Sequence, residues 1–368
     1  MKTRTRRADY LTYLGVRLVV MGLAMFPIDT VLRAMCRLGR LWYWLPRALP
    51  EIHIPARVGR LRFMRWSVRL TAGSNKVLGR FREHRNRAER HIRQAFPEFD
   101  EVRVSATALA SLQQLAMLAV ELLLAPRLVT EWTWARYLKL RELDQPIRAL
   151  LRGKGCIMLT GHYGNWELLG FGLATLGFDV MAVMRPLDNE YLNHYLLDRR
   201  ERSGLKLLYK KGATRSAGDV LESGGVLCFI ADQNAGRKGL FVDFFGRKAS
   251  TYKSIGLLAM EYDVPIIVGC GRRINNRFEY EVCVNRVILP EEWKERDDEL
   301  LWITREYTRA IEEFVRVEPG QYLWIHRRWK SRPKEELAAQ EPPAQRASLS
   351  QAGFPAGEHP PTRVRESG

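Results

Sequence analysis

Acidic residues are scarce where basic ones are dense. Residues 1–93 hold 21 Lys or Arg against five acids (Asp9, Asp29, Glu51, Glu83 and Glu89), so nearly all of the formal charge of +18 sits at the amino end. Such a surplus calls for an acidic partner: nucleic acid, an anionic membrane surface, or an acidic protein or substrate. Paired cysteines are also missing. Cys36, Cys156, Cys228, Cys270 and Cys283 form no C-x-x-C, and four of them lie in apolar runs. They fit reduced, buried thiols in a cytoplasm-facing protein, and no metal site or cofactor is expected. The basic region further lacks the roughly 20 apolar residues of a spanning helix. Its clean run, Leu18–Ile28, is bracketed by Arg17 and Asp29 and disturbed by Pro27. No small-residue cleavage site follows, as a secretory signal would require.

What is present narrows the partner. "YLTYLGVRLVVMGLAMFPIDTVLRAMCRLGRLWYWLPRALP" interleaves Leu, Val, Met, Trp and Tyr with Arg. Nucleic-acid arms are poorer in aliphatics, so an anionic membrane surface is expected and nucleic acid is not. Leu18–Ile28 reads as a membrane-inserted or interfacial helix, with "MKTRTRR" on the cytoplasmic side if it crosses. The competing reading is an ordinary core helix. With 368 residues, 46% of them hydrophobic, the chain can fill a sizeable core.

"SATALASLQQLAMLAVELLLA" (Ser105–Ala125) carries leucines at helical spacing with almost no charge, the pattern of a core helix or the wall of an acyl groove. From Gly155, apolar runs ("CIMLT", "DVMAVM", "LKLLY", "VLCFIA", "VPIIVGC", "YEVCVNRVI") alternate with helical stretches near Trp166–Leu176, Asn189–Ser203, Thr214–Glu222, Tyr252–Tyr262 and Asp298–Val317. That alternation predicts an α/β fold: a mixed, largely parallel central sheet flanked by helices, preceded by a basic helical membrane-associated region. The expected organisation is residues 1–100 for that region, 101–332 for the α/β domain and 333–368 for a Pro-, Ala- and Glu-rich disordered tail.

The chemistry concentrates in "TGHYGNWELLG". His162 and Glu167 lie five residues apart, which on a continuous helix separates them by about 140°. They meet only if the chain bends between them. Gly161 and Gly164 permit the bend, and Asn165 suits the cap of the following helix. His162 then stands in a loop at a strand's carboxyl end, where open α/β sheets bind ligands, with Glu167 in the first helical turn. The amino end of that helix offers N–H groups to an oxyanion or phosphate. A histidine with an ordinary pKa near 6.5 makes a general base at neutral pH when a carboxylate orients it.

"GHYGNWELLG" resembles the HX4E form of the signature of the glycerolipid and lysophospholipid acyltransferase superfamily. "RNRAERHIRQAFPEF", "MRPLDNEYLNHYLLDRRERSGLKLL", "ADQNAGRKGLFVDFFGRKAST", "VPIIVG" and "PGQYLWIHRRWKSRP" resemble, in the same order, the bacterial late acyltransferases of lipid A biosynthesis. The resemblance covers most of residues 10–333. It implies a glycerolipid acyltransferase-like fold and transfer of an acyl group from an acyl carrier protein thioester to a hydroxyl of a lipid A precursor, at the inner membrane facing the cytoplasm. His162 would take the hydroxyl proton and Glu167 would hold the imidazolium. Arg185 would be an active-site cation clamping phosphate or oxyanion. By the same analogy Asp232 and Gln233 would orient substrate or that arginine, and Asn165 would lie with them as a substrate-side residue. Gly246, Arg247 and Thr251 would meet the acceptor's phosphate.

Each assignment has a plainer counterpart. Glu167 could serve the helix dipole, Arg185 could pair with Asp188, and Asp232 could cap a turn. "WIHRRWKSRP" sets two tryptophans among four basic residues, which suits a membrane-interface or phosphate-contact surface better than a solvated face and makes Arg327 and Arg328 candidate substrate contacts. "GHYGNWE" is also close to phosphatidylinositol mannoside acyltransferases, so another glycolipid or a lysophospholipid is the alternative acceptor. A non-catalytic basic membrane- or nucleic-acid-binding protein is the alternative of another class.

Overall fold

The computed structural model describes residues 6–48, 65–141, 143–184, 186–201, 204–209 and 213–336. Arg185 and the stretch 337–368, for which a catalytic cation and a disordered tail are expected, lie outside the described residues. The described residues up to Ser331 form one compact unit.

Four helices come first: α1 (Arg6–Leu23), α2 (Ile28–Ala48), α3 (Arg65–Ala95) and α4 (Glu101–Leu128). Leu18–Ile28 is not one helix. α1 ends at Leu23, and a turn through Pro27, which cannot continue a helical hydrogen-bond ladder, leads into α2. α1 turns Leu11, Leu18, Val19 and Met21 to solvent, and the turn exposes Met25 and Phe26. α4 is the one helix among the described residues long and apolar enough to cross a membrane. Its Leu112, Met117 and Leu124 are buried among other elements, with α2 and α3 packed on it. The α2 crossing is close: a Cβ on Gly39 would fall 2.6 Å from the Gln113 backbone.

The sheet follows. After α5 (Trp134–Tyr137) come β1 (Leu138–Leu140), α6 (Asp144–Leu150), β2 (Cys156–Thr160), α7 (Glu167–Thr175), β3 (Val180–Met184), α8 (Glu190–Glu201), β4 (Lys206–Tyr209), α9 (Ala213–Glu222) and β5 (Val226–Ile230). A hairpin of β6 (Leu240–Phe244) and β7 (Arg247–Thr251) stands apart. α10 (Lys253–Tyr262), β8 (Ile266–Arg273), β9 (Tyr280–Ile288), α11 (Pro290–Trp293) and α12 (Glu299–Val317) complete it. The seven-stranded order is β1-β9-β8-β2-β5-β3-β4, parallel except for β8 against β9. The expected α/β class with a largely parallel sheet is what the chain adopts.

Burial on both faces explains why these strands read as nearly continuous apolar runs. α9, α10 and α12 cover one face through Leu221, Ala259 and Ile311. α6 and α7 cover the other through Ala149 and Ala174. β2 and β5 are neighbours in register, Cys156 to Val226 through Thr160 to Ile230. Two residues beyond each strand end stand His162 and Asp232.

Candidate active site

Continuing that register, the His162 ring meets Asp232. Nδ1 lies 2.6 Å from Asp232 Oδ1, and the His162 backbone N–H donates to Oδ2 at 2.9 Å. Asp232 is 1% exposed and His162 7%. Burial alone would raise the Asp232 carboxyl; the His162 charge and its two hydrogen bonds overcome this and hold it well below the usual carboxylate range. An ionised Asp232 places the imidazole proton on Nδ1 and leaves the Nε2 lone pair free to accept. The Gln233 amide nitrogen lies 3.3 Å from Nε2, at the edge of hydrogen bonding. His162, Asp232 and Gln233 thus come together, as an acid–base centre needs.

Glu167 does not join them. The Gly164 bend forms, at φ +57, but it sets Trp166 against the imidazole, ring centroids 4.8 Å apart. Glu167, in the first turn of α7, points instead to α8 and accepts from Arg200 at 2.7 Å. The expectation that Glu167 holds the imidazolium is therefore corrected: the carboxylate on the ring is Asp232.

The His162 loop is held from three sides. His162 O accepts from Leu323 N, Gly164 N donates to Gln321 O, and Asn165 N donates to Gly271 O, at 2.9, 3.1 and 2.9 Å. A Cβ at position 164 would sit 2.0 Å from Gly271 O, so only glycine allows this approach. Beneath lies a buried polar network absent from the sequence expectation. Gln114 Nε2 donates to Gly164 O at 2.9 Å, and Asn165 Nδ2 donates to Glu121 Oε2 at 3.0 Å. Arg273, from the end of β8, closes a two-pronged ion pair on Glu121, and its Nε donates to Gln114 Oε1 at 2.8 Å. Burial lowers the Arg273 pKa and Glu121 more than restores it. The available signal was Gln114 and Glu121, seven residues apart on one face of an otherwise apolar helix. Asn165, expected on the substrate side, is 1% exposed and caps α7 by accepting from Leu168 N–H.

Arg328 also proves internal. It is 2% exposed. Its Nη1 donates to Ser250 O and Gln233 O, and its Nη2 to Thr251 Oγ1, at 2.6, 3.2 and 2.7 Å. Arg328 and the buried Thr251 are thus a clamp behind the Asp232–Gln233 loop, not lipid or phosphate contacts. Trp324 and Trp329 are buried as well, so the "WIHRRW" segment is not a membrane face. Gly246 shapes the β6–β7 turn at φ +67 with Phe245 at +53, and is exposed there.

His326, unnoticed in the sequence, tilts over His162 with centroids 4.2 Å apart. Burial, then the His162 charge, lower its pKa to about 4, so it is neutral at pH 7. Next to it, Arg327 and Arg247 do come together, in a cleft of about 490 Å³ shared with Arg87, Arg90 and Lys330. One carboxylate there, Glu83, serves both Arg87 and Arg327. Trp166, which packs on the His162 ring, lines an apolar cavity of about 90 Å³ together with Met158, Ala182, Leu207 and Cys228, with Glu167 and Arg200 at its wall. Among the described residues no three His, Cys, Asp or Glu side chains cluster as a metal site requires.

Residues 61–331 match the family described as bacterial lipid A biosynthesis acyltransferase. The chain is similar to the lipid A biosynthesis lauroyltransferase of Escherichia coli K12, 26% identical over 277 residues, 72% of this chain and 86% of that one. It is similar to the palmitoleoyltransferase of the same organism, 25% identical over 308 residues, 81% and 91%. Over 123 residues it is 31% identical to the phosphatidylinositol mannoside acyltransferase of Mycobacterium tuberculosis H37Rv, 32% of this chain and 39% of that one. With residues 61–331 matched by its model, the chain belongs to the bacterial lipid A biosynthesis acyltransferase family.

Proposed function

We propose that this acyltransferase moves a fatty acyl group from an acyl carrier protein thioester to a hydroxyl of a lipid A precursor, a Kdo-lipid IVA-like glycolipid, at the cytoplasmic face of the inner membrane. His162 Nε2 takes the hydroxyl proton as that oxygen attacks the thioester carbonyl. Asp232 holds the proton of the neutral ring on Nδ1, so that Nε2 is the basic nitrogen, and it stabilises the imidazolium that forms. The tetrahedral adduct collapses, the thiolate leaves and takes the proton from Nε2, and the products are ester and thiol. Because the thioester is already activated, the remaining work is deprotonation, orientation and charge stabilisation, which position and preorganised dipoles supply.

The observation that carries this reading is the Nδ1-directed Asp232 carboxylate, which leaves Nε2 as the base. The apolar cavity beside Trp166 suits hydrocarbon. The cationic cleft beside His326 suits an acidic carrier protein, whose encounter it would steer. The exposed aliphatics of α1 and the basic amino end suit an anionic bilayer surface. A second acceptor, a phosphatidylinositol mannoside, is favoured by the identity to the mycobacterial enzyme.

The test is acyl transfer by the purified full chain in detergent, from acyl carrier protein to the tetraacyl bisphosphorylated disaccharide precursor, with phosphatidylinositol mannoside and lysophospholipid as competing acceptors. Wild type is expected to acylate the precursor and His162→Ala to lose it. Equal activity of the two, or equal silence with every acceptor beside salt-sensitive RNA or DNA binding, would refute the proposal in favour of a non-catalytic binding protein.

A further inference from the structure

A cavity of about 890 Å³ is separate from the strand ends. It opens between α1, the end of α4 and α8. Four phenol rings wall it, Tyr10 and Tyr13 from α1 and Tyr191 and Tyr195 from α8. They pack on one another: Tyr10 meets Tyr191 at 5.2 Å between centroids, and Tyr13 meets Tyr195 at 5.9 Å. Arg17, Arg127 and His194 add nitrogen donors, against the single carboxylate of Asp198. Arg17 Nη1 donates to Tyr13 Oη at 3.1 Å. Asn189, ahead of α8, ties the two helices together, donating from Nδ2 to Asp9 O at 3.0 Å while its Oδ1 accepts from Leu192 N–H.

This lining selects a ligand class. A hydrocarbon site would not carry two guanidiniums, and a bare phosphate has no use for four aromatic walls. A sugar that bears phosphate uses both: its C–H faces pack on phenol rings, its hydroxyls bond the phenol oxygens, and its phosphate takes planar guanidinium forks. The surroundings fit a lipid head group. Leu11, Leu18, Val19 and Met21 of the same helix are exposed, so its apolar outer side would sit at the hydrocarbon boundary with the tyrosines at head-group depth. Shared lining residues run from this cavity toward the site. Pro126 lines both it and a second cavity, whose Glu167, Arg200 and Leu205 also line the apolar one walled by Trp166, the residue packed on the His162 ring.

We infer that the tyrosine-walled cavity seats the phosphorylated sugar head group of the acceptor lipid. The inference rests on the acyl-transfer reading above and fixes the acceptor's class and its place. The probe is the tetraacyl bisphosphorylated disaccharide lipid, fluorescently labelled, binding the full chain in mixed micelles. The comparators are the same lipid with its phosphates removed, and phosphatidylglycerol. Arg17→Ala with Arg127→Ala should weaken binding of the phosphorylated glycolipid at least tenfold, and the loss should vanish for the dephosphorylated lipid. Tyr191→Ala should weaken both glycolipids. Tyr195→Phe, which keeps the ring and so the packing, should cost a few-fold. In turnover the acceptor KM should rise while the donor KM holds. Unchanged affinity in variants whose melting temperature is also unchanged would overturn the inference. So would phosphatidylglycerol competing as well as the glycolipid, the mark of a general anionic-lipid belt. Arginine-dependent glycolipid binding by a wild-type chain that transfers no acyl group would uphold the cavity and sink the acyl-transfer reading; transfer with no such dependence would do the reverse.

Discussion

Two ionisable pairs flank the His162 loop, and they are built differently. At the β2 and β5 strand ends, His162 and Asp232 are 70 residues apart in sequence, buried, and joined by two hydrogen bonds. At the α7–α8 junction, Glu167 and Arg200 share one hydrogen bond with side chains 25% and 18% exposed. The first pair is held by sheet register, since every rung of the β2–β5 ladder fixes the next. The second relies on two helix ends. A carboxylate near a histidine in sequence is thus a weaker guide to its partner than two strands that end side by side. Burial follows the same division, and in a low dielectric the strand-end pair sets the tautomer of the base.

The sharpest way to break this comparison is to exchange the weights of the two carboxylates. Asp232→Asn and His162→Ala should each lower kcat by about 10³–10⁴-fold, because an amide does not hold the Nδ1-protonated tautomer. Initial rates at saturating donor and acceptor check it. If Glu167→Gln alone produced that loss while Asp232→Asn was mild, the strand-end pair would be ornamental.

Next in size is the network under the loop. Glu121→Ala leaves the Arg273 guanidinium buried without its counter-charge, a change that costs about 3–5 kcal/mol. Denaturant unfolding measures it. Gln114→Ala should cost about 1–2 kcal/mol by leaving Gly164 O unsatisfied.

Acid tests the strand-end surroundings. His91 is buried and His326 half-buried, and both are held neutral, each lowered to about 4 by desolvation first. The unfolded chain takes these protons near pH 6.5, so their contribution is intact above that value and is lost as pH falls from 6.5 toward 4, by about 3 kcal/mol for each histidine. Around them stand Asp232 and His162 for His326, and Arg87, Arg90 and Arg247 for His91. His326→Gln should flatten part of that slope in pH-dependent unfolding.

The smallest expected effect is at the helix ends. Glu167→Ala removes the carboxylate to which Arg200 donates beside the apolar cavity and should lower kcat/KM by about tenfold. Adding Arg200→Ala should recover part of it, a coupling of about 1 kcal/mol in a double-mutant cycle. If Glu167 oriented the imidazole, removing Arg200 would rescue nothing.

Much of the frame was legible. "CIMLT" is β2 residue for residue, and the other five apolar runs each became a strand, because strands buried on both faces write themselves as continuous apolar segments. The β6–β7 hairpin was not visible: "LFVDF" and "RKAST" carry charge on the solvent side, and the turn at Phe245–Gly246 shows no Asn-Gly signal. At the site, His162 was named from its strand-end position, and Asp232 and Gln233 from the family resemblance of the "ADQ" block. Their mutual contact was not, because strand order is non-local and no spacing encodes that β5 lies beside β2. The "WIHRRW" segment misled for the opposite reason: its local composition is basic and aromatic, yet the tertiary fold buries Arg328 on backbone carbonyls and both tryptophans in the core.

The central claim is that Asp232, and not Glu167, fixes the proton on His162 Nδ1. Proton NMR of protein carrying 15N-labelled histidine reads that proton directly, as a low-field signal bonded to the ring nitrogen. The account predicts a signal that disappears in Asp232→Asn and persists in Glu167→Gln. A signal that survives Asp232→Asn and vanishes in Glu167→Gln would contradict it.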